Sequence, residues 1–167
     1  GSGGDESQDL EEIRYEGYSP GGAAIIVDCV TDNRNRTVAD VRHAFSKAGG
    51  NLGTEGCVSF LFKKIGILTV IDIEDEDAFL EKVLESDVED VQKISDDSFG
   101  VICAPESFFD VKDLLQDSGI ALSDSEITLA PTQEKQLKGK HREQTEKMLD
   151  LLEDVDDVQK IYTNAVF

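Results

Sequence analysis

The chain has 167 residues, with 36 acidic against 16 basic side chains, a net charge of −20 and a pI near 4.2. Taken as a whole, such a polyanion repels nucleic acid, so any contact with phosphate must come from a local patch or from a segment outside this sequence. Hydrophobic residues make up 39%, with eight Phe, three Tyr and no Trp, enough for a largely aliphatic core in one ordinary domain or two small ones. No apolar run reaches the length of a bilayer span and no charged-then-apolar leader is visible. Cys29, Cys57 and Cys103 are odd in number and lack Cys-x-x-Cys spacing, which argues against zinc and a disulfide framework and for reduced thiols in the cytoplasm.

In chain order, Gly1 to Gln8 reads as a flexible lead-in, and Leu10 to Tyr15 as a short edge strand within a lead-in that ends at residue 16. Tyr18-Ser19-Pro20-Gly21-Gly22 is a turn, and Ala23 to Thr31 is a strongly apolar strand. Asp32 to Asn35 is a polar turn. Thr37 with Asp40 approximates a capping box that opens a helix. Val38, Val41, Phe45 and Ala48 recur at helical spacing as its buried stripe, leaving Arg42, His43, Ser46 and Lys47 outward. Gly49-Gly50 ends the helix, and the loop from Gly50 to Gly56 is expected to be mobile and to feed a strand from Cys57 to Phe62.

The pattern then starts afresh. Ile67 to Ile73 is a strand, and Asp75 to Glu85 a helix with Phe79, Leu80, Val83 and Leu84 inward. Val88 to Ser95 and Phe99 to Ala104 are strands. Ser107 to Ser118 is a helix with a second capping box (Ser107, Asp110), and Ile127 to Ala130 closes the unit. The order βαββαβ is that of a ferredoxin-like split βαβ domain. After Pro131, a mildly basic segment with Lys135, Lys138, Lys140 and Arg142 leads into a helix from about His141 to Leu152 and a strand near Val158 to Val166.

Val88-Glu89-Asp90-Val91-Gln92-Lys93-Ile94 and Val155-Asp156-Asp157-Val158-Gln159-Lys160-Ile161 are nearly the same heptapeptide, each at the end of a helix. A repeated supersecondary unit suggests two related lobes. The fold expected is therefore α+β: two ferredoxin-like α/β sandwich lobes, one inserted into the other. A split domain of residues 17–64 plus 132–167 is interrupted by a βαββαβ domain at 65–131.

For chemistry, the strongest constellation lies between Thr31 and Lys64. Arg34, Arg36, Arg42, Lys47, Lys63 and Lys64 face only Asp32, Asp40 and Glu55 there. Arg34, Arg36, Arg42, His43 and Lys47, beside a glycine-rich loop, are the candidate nucleic-acid contact face, since arginine suits bidentate phosphate contact. The plain alternative is a helix face kept soluble by ordinary charges. The GxxGxxG spacing of Gly50, Gly53 and Gly56 leaves a helix and enters a strand, the wrong order for a phosphate-binding fingerprint. Asp72, Glu74, Asp75, Glu76 and Asp77 lack the central Gly and terminal Glu of a calcium loop and suit a helix start. His43 and His141 have no triad or metal partners in sequence. His141 reads as half-buried on a face with Thr145 and Met148. Ser59 falls in a strand, away from any nucleophile elbow. No enzyme, metal site or cofactor is read here.

Tyr15-Glu16-Gly17-Tyr18-Ser19-Pro20-Gly21-Gly22, the run Asp32-Asn33-Arg34-Asn35-Arg36-Thr37-Val38-Ala39-Asp40-Val41-Arg42-His43-Ala44-Phe45-Ser46-Lys47, Gly49 to Thr54 and Val155 to Gln159 together resemble the YebC/PmpR family. That family includes mitochondrial translational activators of cytochrome oxidase. The resemblance runs from about Glu12 to Phe167, with Ser19 standing where many members have glycine. It implies the C-terminal two domains of a three-domain protein whose basic helical N-terminal domain lies outside this sequence and carries most nucleic-acid affinity. It implies a cytoplasmic, non-enzymatic regulator of gene expression: a DNA-binding transcriptional regulator first, or a ribosome-associated translation factor bound to ribosomal RNA. A protein-interaction or small-ligand module of ferredoxin-like type is the remaining reading, with a protein partner on the acidic lobe.

Overall fold

The computed structural model describes residues 9–167, and the expected lead-in at residues 1–8 lies outside them. In chain order come β1 (Glu11–Tyr18), β2 (Ala24–Thr31), α1 (Arg34–Ala48), β3 (Asn51–Leu52), β4 (Phe62–Ile71), α2 (Glu76–Leu84), β5 (Asp90–Ser95) and β6 (Ser98–Cys103). Then follow α3 (Phe108–Asp117), β7 (Ala121–Pro131), β8 (Lys135–Gln136), α4 (Gly139–Glu153), β9 (Val158–Thr163) and β10 (Ala165–Val166). The chain divides into two compact units: the described residues through Phe62 with Pro131–Phe167, and Lys63–Ala130.

The first unit has a four-stranded sheet in the order β3-β1-β2-β9, every neighbouring pair antiparallel. β8 and β10 make a separate parallel pair. β2 is its centre: Ile25, Val27 and Cys29 alternate onto the face covered by Val41, Ala44, Phe45 and Ala48 of α1 and by Met148 and Leu152 of α4. β1 is not the short edge strand expected over Leu10–Tyr15. It runs eight residues in continuous register with β2, from Glu11 opposite Thr31 to Tyr18 opposite Ala24, and β3 lies outside it.

Four local expectations fail for identifiable reasons. No strand covers Cys57–Phe62: residues 55–58 form a turn, Ser59–Leu61 a 3-10 turn, and β4 begins at Phe62. The loop's amides are already taken. The Glu16 carboxylate accepts from the backbone N–H of Gly56, Val58 and Ser59 at 2.7, 3.1 and 2.7 Å, and the Glu16 carbonyl accepts from Gly53 N–H at 2.8 Å. The stretch expected to be a mobile loop is thus fastened to β1. At α1, Asn33 is the cap, accepting from Arg36 N–H, and the Thr37–Asp40 box does not form. Asparagine is the stronger N-cap, which leaves Thr37 buried in the first turn. Val38 is only half-buried, its place in the stripe taken by Ala44.

In the second unit, the sheet order β5-β6-β4-β7 with α2 and α3 reproduces the βαββαβ arrangement. Leu68, Val70, Phe99, Val101 and Cys103 pack against Phe79, Val83, Phe108, Val111 and Leu115. Leu84, expected inward, is 83% exposed, because Phe79 and Val83 already occupy the inward positions four residues apart. The Ser107 hydroxyl donates to Asp87 at 2.7 Å, so its capping box with Asp110 is absent. β4 starts at Phe62 and ends at Ile71, against the expected Ile67–Ile73, and β7 extends well beyond the expected Ile127–Ala130, from Ala121 to Pro131.

The heptapeptide repeat occupies the same slot twice, leading into the outermost strands β5 and β9. Val91 and Val158 both pack inward, yet Ile161 reaches the core while Ile94 is 61% exposed. The registers differ: β9 is irregular opposite Asp28/Cys29, β5 between Lys93 and Ser95. One bulged residue is enough to reverse a side chain's face.

Candidate nucleic-acid interface

α1 is held firmly at both ends. Asn33 caps its start, Gly49 closes it in the left-handed conformation at φ 86°, and the Gly49 and Gly50 amides donate to the carbonyls of Ser46 and Phe45. Beneath it, β1 passes at Gly17, where a Cβ would come within 2.7 Å of Phe45 Cε2 and would also strike the Asn51 carbonyl.

The five candidate residues fall into two groups. Arg34 pairs with Glu11 at 2.9 Å in an exposed bridge. Arg36 is committed more deeply: its guanidinium donates to Asp157 at 3.0 Å (Nη2 to Oδ1) and 3.3 Å (Nε to Oδ2), and to Asp32 at 3.1 Å. The Thr37 hydroxyl donates to the same Asp157 at 2.7 Å. That hydrogen bond first, and the Arg36 guanidinium next, hold the Asp157 carboxyl below the usual carboxylate range. Arg42, His43 and Lys47 are exposed, with no hydrogen-bond or ion-pair partner among the described residues.

At about 100° per residue, Arg36, His43 and Lys47 share one flank of α1 with Asp40, while Arg34 and Arg42 lie on the other. The five do not make one patch. Their shared flank faces α4 across a groove of about 730 Å³, lined by Arg36, Asp40, His43, Leu151, Asp154 and Asp157 among others. At this end, carboxylates outnumber the two basic groups.

The opposite end has the reverse sign. A methyl group on Gly49 would sit 3.7 Å from the Gln144 amide and 3.8 Å from Pro20, while the first turns of α1 share a groove with Leu151 and Asp154, so α1 and α4 run antiparallel and the end of α1 meets the first half of α4. There Lys135, Lys138, Lys140 and Lys147 are exposed and without a partner among the described residues, whereas Arg142 is held by Glu146 at 3.0 Å. α4 has no acidic residue in its first turn and no side-chain cap. His141, expected half-buried, is exposed. The basic run was visible in the sequence; what it lacked there was its neighbour, since nothing local brings α4 at Gln144 against the end of α1 at Gly49.

Among the described residues, no group of three or more His, Cys, Asp or Glu side chains is arranged to hold a metal, and no helix is long and apolar enough to cross a membrane. Cys29, Cys57 and Cys103 are free thiols. Cys57 is half-buried; burial pushes the Cys29 thiol up to about 11.

Comparison with known proteins adds the context. A family model described as the second and third domain of TACO1/YebC matches residues 10–165. A protein of Francisella tularensis subsp. mediasiatica named probable transcriptional regulatory protein is 49% identical over 167 residues, covering 100% of this chain and 67% of its own length. A protein of the same name from Laribacter hongkongensis is 52% identical over 158 residues, 95% of this chain and 66% of its own. The crystal structure of a conserved hypothetical protein from Aquifex aeolicus superposes with a TM-score of 0.79 at 41% identity, covering 94% of this chain and 65% of that one. The chain spans about two thirds of the length of these relatives.

Proposed function

The chain belongs to the TACO1/YebC family, and on that premise we propose that it forms part of a cytoplasmic regulator of gene expression that acts by contacting nucleic acid, without catalysis. Duplex DNA is the first candidate ligand, in keeping with the relatives' name. Arg42, His43 and Lys47 are the contact residues on α1. Arg34 and Arg36 serve the same helix by fixing it to Glu11 and Asp157.

One observation carries the reading. In a chain where acidic side chains outnumber basic ones 36 to 16, Arg34 and Arg36 on α1 are taken by carboxylates, yet Arg42, His43 and Lys47 on the same capped helix carry no ion pair among the described residues. These cations, Arg42 on one flank of α1 and His43 and Lys47 on the other, give weak, salt-sensitive affinity, because each phosphate contact releases condensed counterion. The test is titration of the chain against labelled duplex DNA and structured RNA at two salt concentrations. Binding should weaken steeply with salt, and Arg42→Ala/Lys47→Ala should flatten the slope of log K against log salt by about two on duplex DNA. Absence of binding to either polymer at about 50 mM salt would overturn it. Preference for RNA would redirect the reading to a ribosome-associated translation factor.

A further inference from the structure

The geometry points to a phosphate-backbone track that crosses from the C-terminal turn of α1 to the cap and first three turns of α4, with Lys47, Lys138, Lys140 and Lys147 as its contacts. The inference rests on the nucleic-acid reading above and adds to it lysines of the α4 segment; Lys47 alone is common to both.

Several observations bring together the segments that carry these lysines. The Pro20-Gly21-Gly22 turn touches both, the end of α1 at Gly49 and α4 at His141 and Thr145. The Thr145 hydroxyl donates to the Pro20 carbonyl at 3.2 Å. A Cβ on Gly21 would lie 2.9 Å from His141 Cβ, and one on Gly22 would lie 3.9 Å from Lys135 Cε. Pro20 also lies against Gly49, two residues after Lys47. On α4 itself, Lys140 and Lys147 are two turns apart on one flank at about 100° per residue. Gln144 lies between them and meets the end of α1.

Ion pairing then distinguishes these lysines from most of the unit's arginines. Arg14, Arg34 and Arg36 are each bridged to a carboxylate of the same unit, and so is Arg142 within this end. The lysines of the track are not, although Glu143 lies between Lys140 and Lys147 in sequence. Clustered cations beside the positive end of a helix repel one another and the helix dipole. An incoming polyanion relieves both costs, and a protein partner would need a comparably dense row of carboxylates. Where the groove turns acidic, at Asp40, Asp154, Asp156 and Asp157, a phosphodiester strand is repelled. The track is therefore short and directed away from that end.

The test uses the 167-residue chain, a labelled duplex DNA and a labelled single-stranded RNA of equal length, read by fluorescence anisotropy. Lys138→Glu/Lys140→Glu/Lys147→Glu should abolish binding. The Gln triple variant, which keeps the fold if charge reversal does not, should lower the salt slope by about 0.9 per lysine removed on the duplex. Glu143→Gln should tighten binding. If the Arg42/Lys47 variant weakens binding while the α4 variants match the parent, the track is overturned and the wider reading stands. If the parent chain binds neither polymer, both fall.

Discussion

Arg36 and Asp157, 121 residues apart in sequence, close on each other through two guanidinium nitrogens at 3.0 and 3.3 Å, tying the first turn of α1 to the approach to β9. The Asp157 side chain is only 13% exposed and also receives the Thr37 hydroxyl. Its carbonyl accepts from Val30 N–H at the end of β2. Asp157→Asn should therefore lower the melting temperature and, by releasing Arg36 and removing a negative charge, strengthen binding to nucleic acid at low salt. Calorimetry and anisotropy on one preparation check both. A variant that melts as the parent does contradicts the anchoring role.

Glu16 is 3% exposed, and its carboxylate stands in for the neighbouring strand that the loop after β3 never meets. Glu16→Ala strands three backbone N–H groups, a loss of about 2–4 kcal/mol once the loop relaxes toward water. Glu16→Gln, keeping one acceptor oxygen, should lose about half of that. Urea midpoints measure the loss. Amide exchange at Gly56 and Ser59 should accelerate more than at Val27; equal acceleration would mean the loop is not pinned from Glu16.

Acid should find the same two carboxylates. Burial alone would raise the Glu16 pKa, but the three backbone N–H donors outweigh it and the group titrates below the usual range. Asp157 does so through Thr37 and then Arg36. A carboxyl with a depressed folded pKa contributes stability that is complete above its unfolded value, about 4, and is lost as pH falls through the folded value. The stability gap between parent and Glu16→Gln should be constant from about pH 7 to 5 and close below about pH 4. A gap that widens on acidification reverses the sign and refutes the account.

Gly17 is where β1 passes beneath Phe45, and Gly17→Ala must push the ring or the β3 backbone aside. Overpacking of this kind costs about 1–3 kcal/mol. Denaturation should show the loss, with the Arg42 and Lys47 contacts displaced along with α1 and nucleic-acid affinity reduced in step. Unchanged stability would mean that the helix floats free of the strand.

Much of the local structure was written in the chain. The apolar run after Gly22 could only be a buried strand, the 3.6-residue recurrence of Val41, Phe45 and Ala48 marked one face of α1, and Gly49 marked its end. The paired heptapeptides, each at the end of a helix, marked a repeated supersecondary unit. Those signals are short-range: periodicity and backbone preference act within a few residues, so composition alone reveals them. The chain also showed which side chains on α1 are cationic. It could not show which of them are used up, because the carboxylate that claims Arg36 arrives from 121 residues away. Nor could it show that Glu16 would take the loop's amides, or that the end of α1 would meet α4 at Gln144. Long-range pairing is decided by which surfaces the two helices and the sheet bring together, and only the tertiary structure sets that.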